Sequence, residues 1–101
     1  MSNILVCDDE KDIVVALKIY LSSDGHTVFE AYNGRQAIDI IHKNNIDLAL
    51  LDVMMPVTDG ITAVAEIRKF SNLPIILLTA KSEDTDKILG LNVGADDYVT
   101  K

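Results

Sequence analysis

A fivefold alternation of short apolar runs with amphipathic segments constrains this chain more than any other feature. The runs are Ile4–Cys7, Thr27–Ala31, Asp47–Leu51, Ile75–Leu78 and Tyr98–Thr100. The first, third and fourth are almost continuously apolar, as strands buried on both faces should be. Between the runs, apolar residues recur at helical steps. Ile13, Val14, Leu17 and Leu21 precede a stop at Gly25, and Asn33-Gly34 opens a segment carrying Ala37, Ile38 and Ile41. Gly60 precedes Ile61, Val64 and Ile67, and Ser82 is placed to cap a fourth helix with Ile88 and Leu91 that Gly94 ends. This alternation predicts an α/β fold, a doubly wound five-stranded parallel sheet with right-handed crossovers. The 101 residues suffice for one domain, spanning 1–101, with a modest core.

Composition removes several function classes. No apolar run approaches the ~20 residues of a membrane helix, and Met1-Ser2-Asn3 leads into a strand-like run rather than a signal peptide. Cys7 is the only cysteine, so no internal disulfide points to secretion, and its apolar surroundings predict a buried, inert thiol. A formal net charge of −7 argues against this segment gripping nucleic acid by itself, but suits a bound cation or a basic partner. His26 and His42 have no partners at ligand spacing and read as surface or strand-edge residues.

In a doubly wound sheet, sites form outside the carboxyl ends of the strands. The first run ends in Asp8-Asp9-Glu10, the third in Asp52, the fourth in Thr79 and the fifth in Lys101. The second ends in Ala31-Tyr32, which suits an edge strand. Three carboxylates at one rim repel each other unless a cation neutralises them, and all-oxygen ligation with few protein ligands suits Mg²⁺. A carboxylate can also accept a phosphoryl group as an aspartyl-phosphate. An ammonium, a hydroxyl and Mg²⁺ would stabilise the charge spread over the transferring group.

These residues carry a resemblance. The chain resembles the receiver domain of two-component response regulators along essentially its whole length. The matching stretches are Asp8-Asp9-Glu10, Leu51-Asp52-Val53-Met54-Met55-Pro56 with Asp59-Gly60, Leu78-Thr79-Ala80, and Gly94 through Lys101. The resemblance implies a flavodoxin-like strand order, 2-1-3-4-5. It implies that Asp52 accepts a phosphoryl group from a sensor histidine kinase. Asp9 and Asp52 would ligate Mg²⁺ (or Mn²⁺), with Asp8 holding a bound water and the Met54 carbonyl completing the protein ligands. Lys101 would pair with Asp52 and then with the phosphoryl oxygens. Thr79 would bond a phosphoryl oxygen, and Tyr98 would rotate inward behind it. The segment after Lys81 resembles the subfamily with a winged-helix DNA-binding effector. It implies a phosphorylation-favoured homodimer through Lys87, Ile88, Leu91 and Asp97, DNA contact only through an effector outside this chain, no membrane association, and a cytoplasmic location. Such a protein is a signalling phosphoacceptor that assists its own phosphorylation and dephosphorylation, not an enzyme with a separate substrate.

Three other readings stand beside it. One is a stand-alone receiver. Another is an Mg²⁺-dependent phosphohydrolase of the haloacid dehalogenase type, which places a second acid two residues after its nucleophile, where this chain has Met54. The third is an unreactive pseudo-receiver, which would lack an acid, the threonine or the lysine of the set. Simpler explanations also exist for single residues. Asp8-Asp9-Glu10 can charge a helix N-terminus, Thr79 can be a turn residue, Lys101 can be a solvated lysine, and Tyr98 can be core.

The fifth helix that this pattern calls for is absent after Lys101. The first helix alone would then cover its face of the sheet, leaving apolar strand residues open. The natural protein is therefore expected to continue into a fifth helix and a linked effector. A chain about twenty residues longer, one helix plus its connection, should unfold at higher urea than these 101 residues. Equal midpoints, with the shorter chain monomeric, would show that helix to be dispensable.

Overall fold

The computed structural model describes residues 2–53, 55, 58–79 and 94–100, without the side chains of Thr79, Tyr98 and Thr100. Five parallel strands form one sheet: β1 (Asn3–Cys7), β2 (Thr27–Ala31), β3 (Leu48–Asp52), β4 (Ile75–Thr79) and β5 (Asp97–Thr100), in the order β2-β1-β3-β4-β5. The described helices are α1 (Lys11–Ser23), α2 (Gly34–Lys43) and α3 (Gly60–Ile67). The expected fourth helix, with its Ser82 cap, lies outside the described residues. Among the described residues, no helix is long and apolar enough to cross a membrane.

Local signals set the helix limits. Gly25 adopts φ +89 after α1, where its N–H bonds the Ser22 carbonyl (3.0 Å) and the His26 N–H bonds that of Leu21 (3.2 Å). A left-handed residue of this kind closes a helix at little cost only when it is glycine. Asn33 caps α2 by accepting the Gln36 N–H at 2.9 Å, and Asp59 caps α3 by accepting that of Thr62 at 2.8 Å. The third strand begins one residue later than the apolar run suggested. Asp47 stays outside it because its carboxylate accepts the Asn3 N–H (2.8 Å) while its own N–H bonds the Asn3 carbonyl (2.8 Å). The strand consequently includes Asp52.

Strand alternation splits the core in two. Leu5, Cys7, Ala49, Leu51, Ile75 and Leu77 point to the face covered by α2 and α3, where Ala37, Ile38, Ile41, Val64 and Ile67 meet them. Each fully buried leucine or isoleucine here contributes about 1.5–3 kcal/mol. On the other face, α1 sets Val14, Leu17 and Leu21 against Ile4, Val6, Leu48 and Leu50. Ile76 and Leu78 are half-buried and Val99 is exposed.

Arg68, at the C-terminus of α3, ties the entrance of β5 to the rest of the molecule. Its guanidinium donates to the carbonyls of Gly94 (2.8 Å), Leu73 (2.8 Å) and Ser71 (3.3 Å) and pairs with Asp96 at 3.0 Å. Asp96 in turn accepts the Ile75 N–H at 2.7 Å. Arg68→Ala should therefore lower stability by about 2–3 kcal/mol. The carbonyl bonds supply most of that, because the Asp96 end is more than half exposed and screened. Urea denaturation measures it, with an unchanged slope expected; a loss within ~0.5 kcal/mol would assign Arg68 to the ordinary surface.

Candidate functional site: an acidic cluster at the strand ends

The sheet register creates the site. Cys7 of β1 pairs with Leu51 of β3, so the next residues, Asp8 and Asp52, emerge side by side. Asp8 is fully buried and Asp52 is 3% exposed, while Asp9 faces solvent. One carboxylate oxygen from each of Asp8, Asp9 and Asp52 lies within 4.8 Å of the others. Such burial of acids is rare for carboxylates in general.

Backbone contacts hold these positions. The Asp8 N–H bonds the Ala31 carbonyl (3.2 Å), and Asp8 Oδ1 accepts the Glu10 N–H at 2.9 Å. Asp8 thus also shapes the entry into α1, so the helix-terminus reading of the acids is partly true. Beyond Asp52, the Val53 N–H bonds the Leu78 carbonyl (3.0 Å) and the Gly60 N–H bonds that of Val53 (3.0 Å). A Cβ on Gly60 would collide with the Asp52 carbonyl, so only glycine lets α3 start so close to the strand end.

The electrostatics register on Cys7, which lies behind the acids. Burial, reinforced by the negative charge of Asp8, then Asp52 and Asp9, pushes its thiol up to about 12. Cys7 is inert as expected, donating to the Asn33 carbonyl (3.2 Å) and touching Met55 Sδ (3.4 Å). Negative potential and three hard oxygen donors fit a hard divalent cation.

The structure brings together Asp8, Asp9 and Asp52 from the predicted set. Thr79 closes β4 and pairs in register with Thr100, one residue beyond the Asp52–Leu78 pair, but its side chain is not among those described. The same holds for the side chain of Tyr98. Met54, Lys87, Ile88, Leu91 and Lys101 lie outside the described residues. Asp97 is described and exposed, and it begins β5 beside Ile76, at the opposite end of the sheet from the acids. His26 accepts the Ser2 N–H through Nδ1 (3.1 Å), and His42 stacks on Phe70 with ring centroids 3.7 Å apart. A separate cleft of about 490 Å³ runs between α2 and α3 past Arg35, His42, Thr58 and Glu66. Sequence reasoning took Asn33-Gly34 only as a helix start and gave Thr58 no role, yet all three residues border the segments that carry the acids; Met55, read from the sequence as a packing residue, is buried in the core.

A parallel α/β sheet in the order β2-β1-β3-β4-β5 with clustered acids at its carboxyl edge is a flavodoxin-like fold carrying a candidate cation site. The family model of the response regulator receiver domain matches residues 4–101, and the chain belongs to that family. It is a receiver domain of a two-component response regulator. It is 47% identical over 98 residues to the regulatory protein VanR of Enterococcus faecium, covering 97% of this chain and 42% of that protein. The chain thus spans about two fifths of that relative. Among solved structures, a two-component response regulator from Clostridium difficile is 36% identical with a TM-score of 0.95, covering 100% of this chain and 84% of the other. The response regulator TrrA of Thermotoga maritima, in complex with Mg²⁺ and BeF, is 39% identical with a TM-score of 0.89, covering 100% and 87% respectively.

Proposed function

We propose that Asp52 is the phosphoacceptor and that the acid cluster binds Mg²⁺. The observation that carries this is the burial of Asp52 at the end of β3 with carboxylate oxygens of Asp8 and Asp9 within 4.8 Å. A carboxylate oxygen of Asp52 attacks the phosphorus of a phosphohistidine on a sensor histidine kinase. An O–P bond forms, the N–P bond breaks, and its electron pair stays on the imidazole nitrogen, which takes up a proton. Asp9, Asp52 and the Met54 carbonyl would hold Mg²⁺, with Asp8 acting through a water, and Mn²⁺ would substitute. The bound cation supplies charge neutralisation, which lets an anionic donor approach three carboxylates. TrrA, solved with Mg²⁺ and BeF, supports the cation. Thr79 and Lys101 are assigned to the phosphoryl oxygens and Tyr98 to the switch that follows. The domain assists both the gain and the loss of its own phosphoryl group, in the cytoplasm.

Residues 1–101 make up the receiver unit of this reading, and the effector it controls acts on DNA. Its support is the length of VanR, a regulatory protein of which this chain covers 42%. A stand-alone receiver is the alternative.

Asp52→Asn should leave the fold intact and abolish the phosphoryl mass gained from a small phosphodonor with Mg²⁺, and excess EDTA should abolish it in the unmodified protein. Intact-mass spectrometry decides both. Undiminished labelling in either case would refute the assignment.

The dimer proposal places Lys87, Ile88, Leu91 and Asp97 at a small symmetric interface with a polar rim. Exposed Asp97 and Val99 on β5 support it. Light scattering on the stably phosphorylated full-length protein should report a dimer, and a strict monomer at high concentration rejects the interface.

A further inference from the structure

Asp52 ends β3 and Gly60 begins α3, and several described residues around this connection have defined ties. Val53 and Gly60 are held by the backbone bonds described above, and Met55 is buried against Cys7 Sγ. One tie comes from elsewhere: Gly34, the first residue of α2, donates its N–H to the Thr58 carbonyl at 3.1 Å. From this contact we infer that Gly34 is a positioning residue for the acid site, acting through Thr58 on the loop that leaves β3 at Asp52. The inference rests on the cation-binding reading above.

Three observations carry it. First, Gly34 does not need to be glycine for its own backbone, since its φ is not positive and alanine is the better helix former. The contact is what excludes a side chain: a Cβ there would land on the Thr58 carbonyl and 3.0 Å from the Thr58 Cβ. Second, Thr58 sits at φ 52. A β-branched residue in the left-handed region is strained and persists only where its surroundings over-determine it. Third, the start of α2 is itself fastened to the acid-bearing end of β1. The Asn33 carbonyl accepts from Cys7 Sγ at 3.2 Å, one residue before Asp8.

The Asn33-Gly34 step therefore bridges the two segments from which the carboxylates emerge. It holds their spacing without contributing a ligand. Groups hydrogen-bonded to metal ligands typically change metal affinity by about 10–100-fold when removed, and a backbone contact one step further out is expected at the lower end of that range. Oxygen ligands must be held within a fraction of an ångström, and Thr58 lies two residues before Gly60, whose backbone packs on the Asp52 carbonyl, so on this inference a side chain that pushes Thr58 away disturbs that packing.

The test is isothermal titration with Mg²⁺ alone. Gly34→Ala should bind Mg²⁺ at least about tenfold more weakly while its circular dichroism stays that of the folded domain. A purely structural role predicts a lower urea midpoint with unchanged affinity, and that outcome overturns the inference. The unmodified protein gives a second reading that no folding defect can obscure. In a Mg²⁺ titration followed by NMR, the Gly34 and Thr58 amide resonances should move with the dissociation constant seen at Asp9. If they stay fixed through saturation, the inference falls while the cation reading stands. If the unmodified protein binds no Mg²⁺, both fall.

Discussion

The pairing of β1 with β3 is the contact on which the rest of this molecule depends. Its register, Cys7 opposite Leu51, sets Asp8 beside Asp52. A slip of one residue would turn Leu5 and Leu51 out of the core and separate the acids as well. The same apolar alternation that buries Leu5, Ala49 and Leu51 therefore also enforces the crowding of like charges. Crowding two buried carboxylates disfavours folding, and the apolar strands offset that cost by burying large side chains on both sides of the register. Stability and chemistry are in this sense opposed at the strand ends and reconciled along the strands.

The opposite end of the sheet obeys a different constraint. A parallel strand at the edge has a neighbour on one side only, so β5 depends on β4 and on whatever fixes its entrance. Arg68 does this by gathering the Gly94, Leu73 and Ser71 carbonyls together with Asp96. With Asp96 held against Ile75, the pairs Ile76–Asp97 and Thr79–Thr100 follow in register. The register of the far rim is thus set by a clamp at the near one. On the α1 face, Ile76 and Leu78 remain half-buried beside exposed Val99, whereas the residues facing α2 and α3 are sealed.

Much of this was legible in the sequence because each signal was local. Apolar runs marked the strands to within a residue, Gly25, Asn33 and Gly60 marked helix ends, and reading the strand termini in order assembled Asp8, Asp9 and Asp52. Asp47 was misplaced into the third strand because its capping bond to Asn3 joins positions far apart in the chain. Arg68 was invisible for the same reason. A lysine-like surface residue and a four-bond clamp look identical until Gly94 and Asp96 are brought to it. Gly34 was read as a helix opening, which it is. Its closeness to Thr58 is a tertiary fact with no signature in the letters around it.

Among the described residues, backbone contacts form much of the framework around Asp52. Its neighbours are the β1 and β4 ladders, the Gly60 N–H on Val53 and the close approach of α3. Two glycines, from α2 and α3, press helix starts onto the loop between them, and neither can carry a Cβ in this arrangement. Main-chain contacts of this kind have no rotamers through which to relax. On the proposed reading, phosphorylation would replace the carboxylate charge of Asp52 with a phosphoryl group carrying about −1.5 to −2, a net gain of up to about one negative charge at this rim. The described main-chain contacts would pass part of the added force on as displacement of whole segments, beside the side-chain movements proposed for Thr79 and Tyr98. Exposed Asp9 has room to adjust locally, whereas Asp8 and Asp52 do not. Where the described rim is main chain joined to β1, β4 and α3, a local charge at Asp52 acts on segments that move together, which suits the site to passing a change on to the elements that meet there.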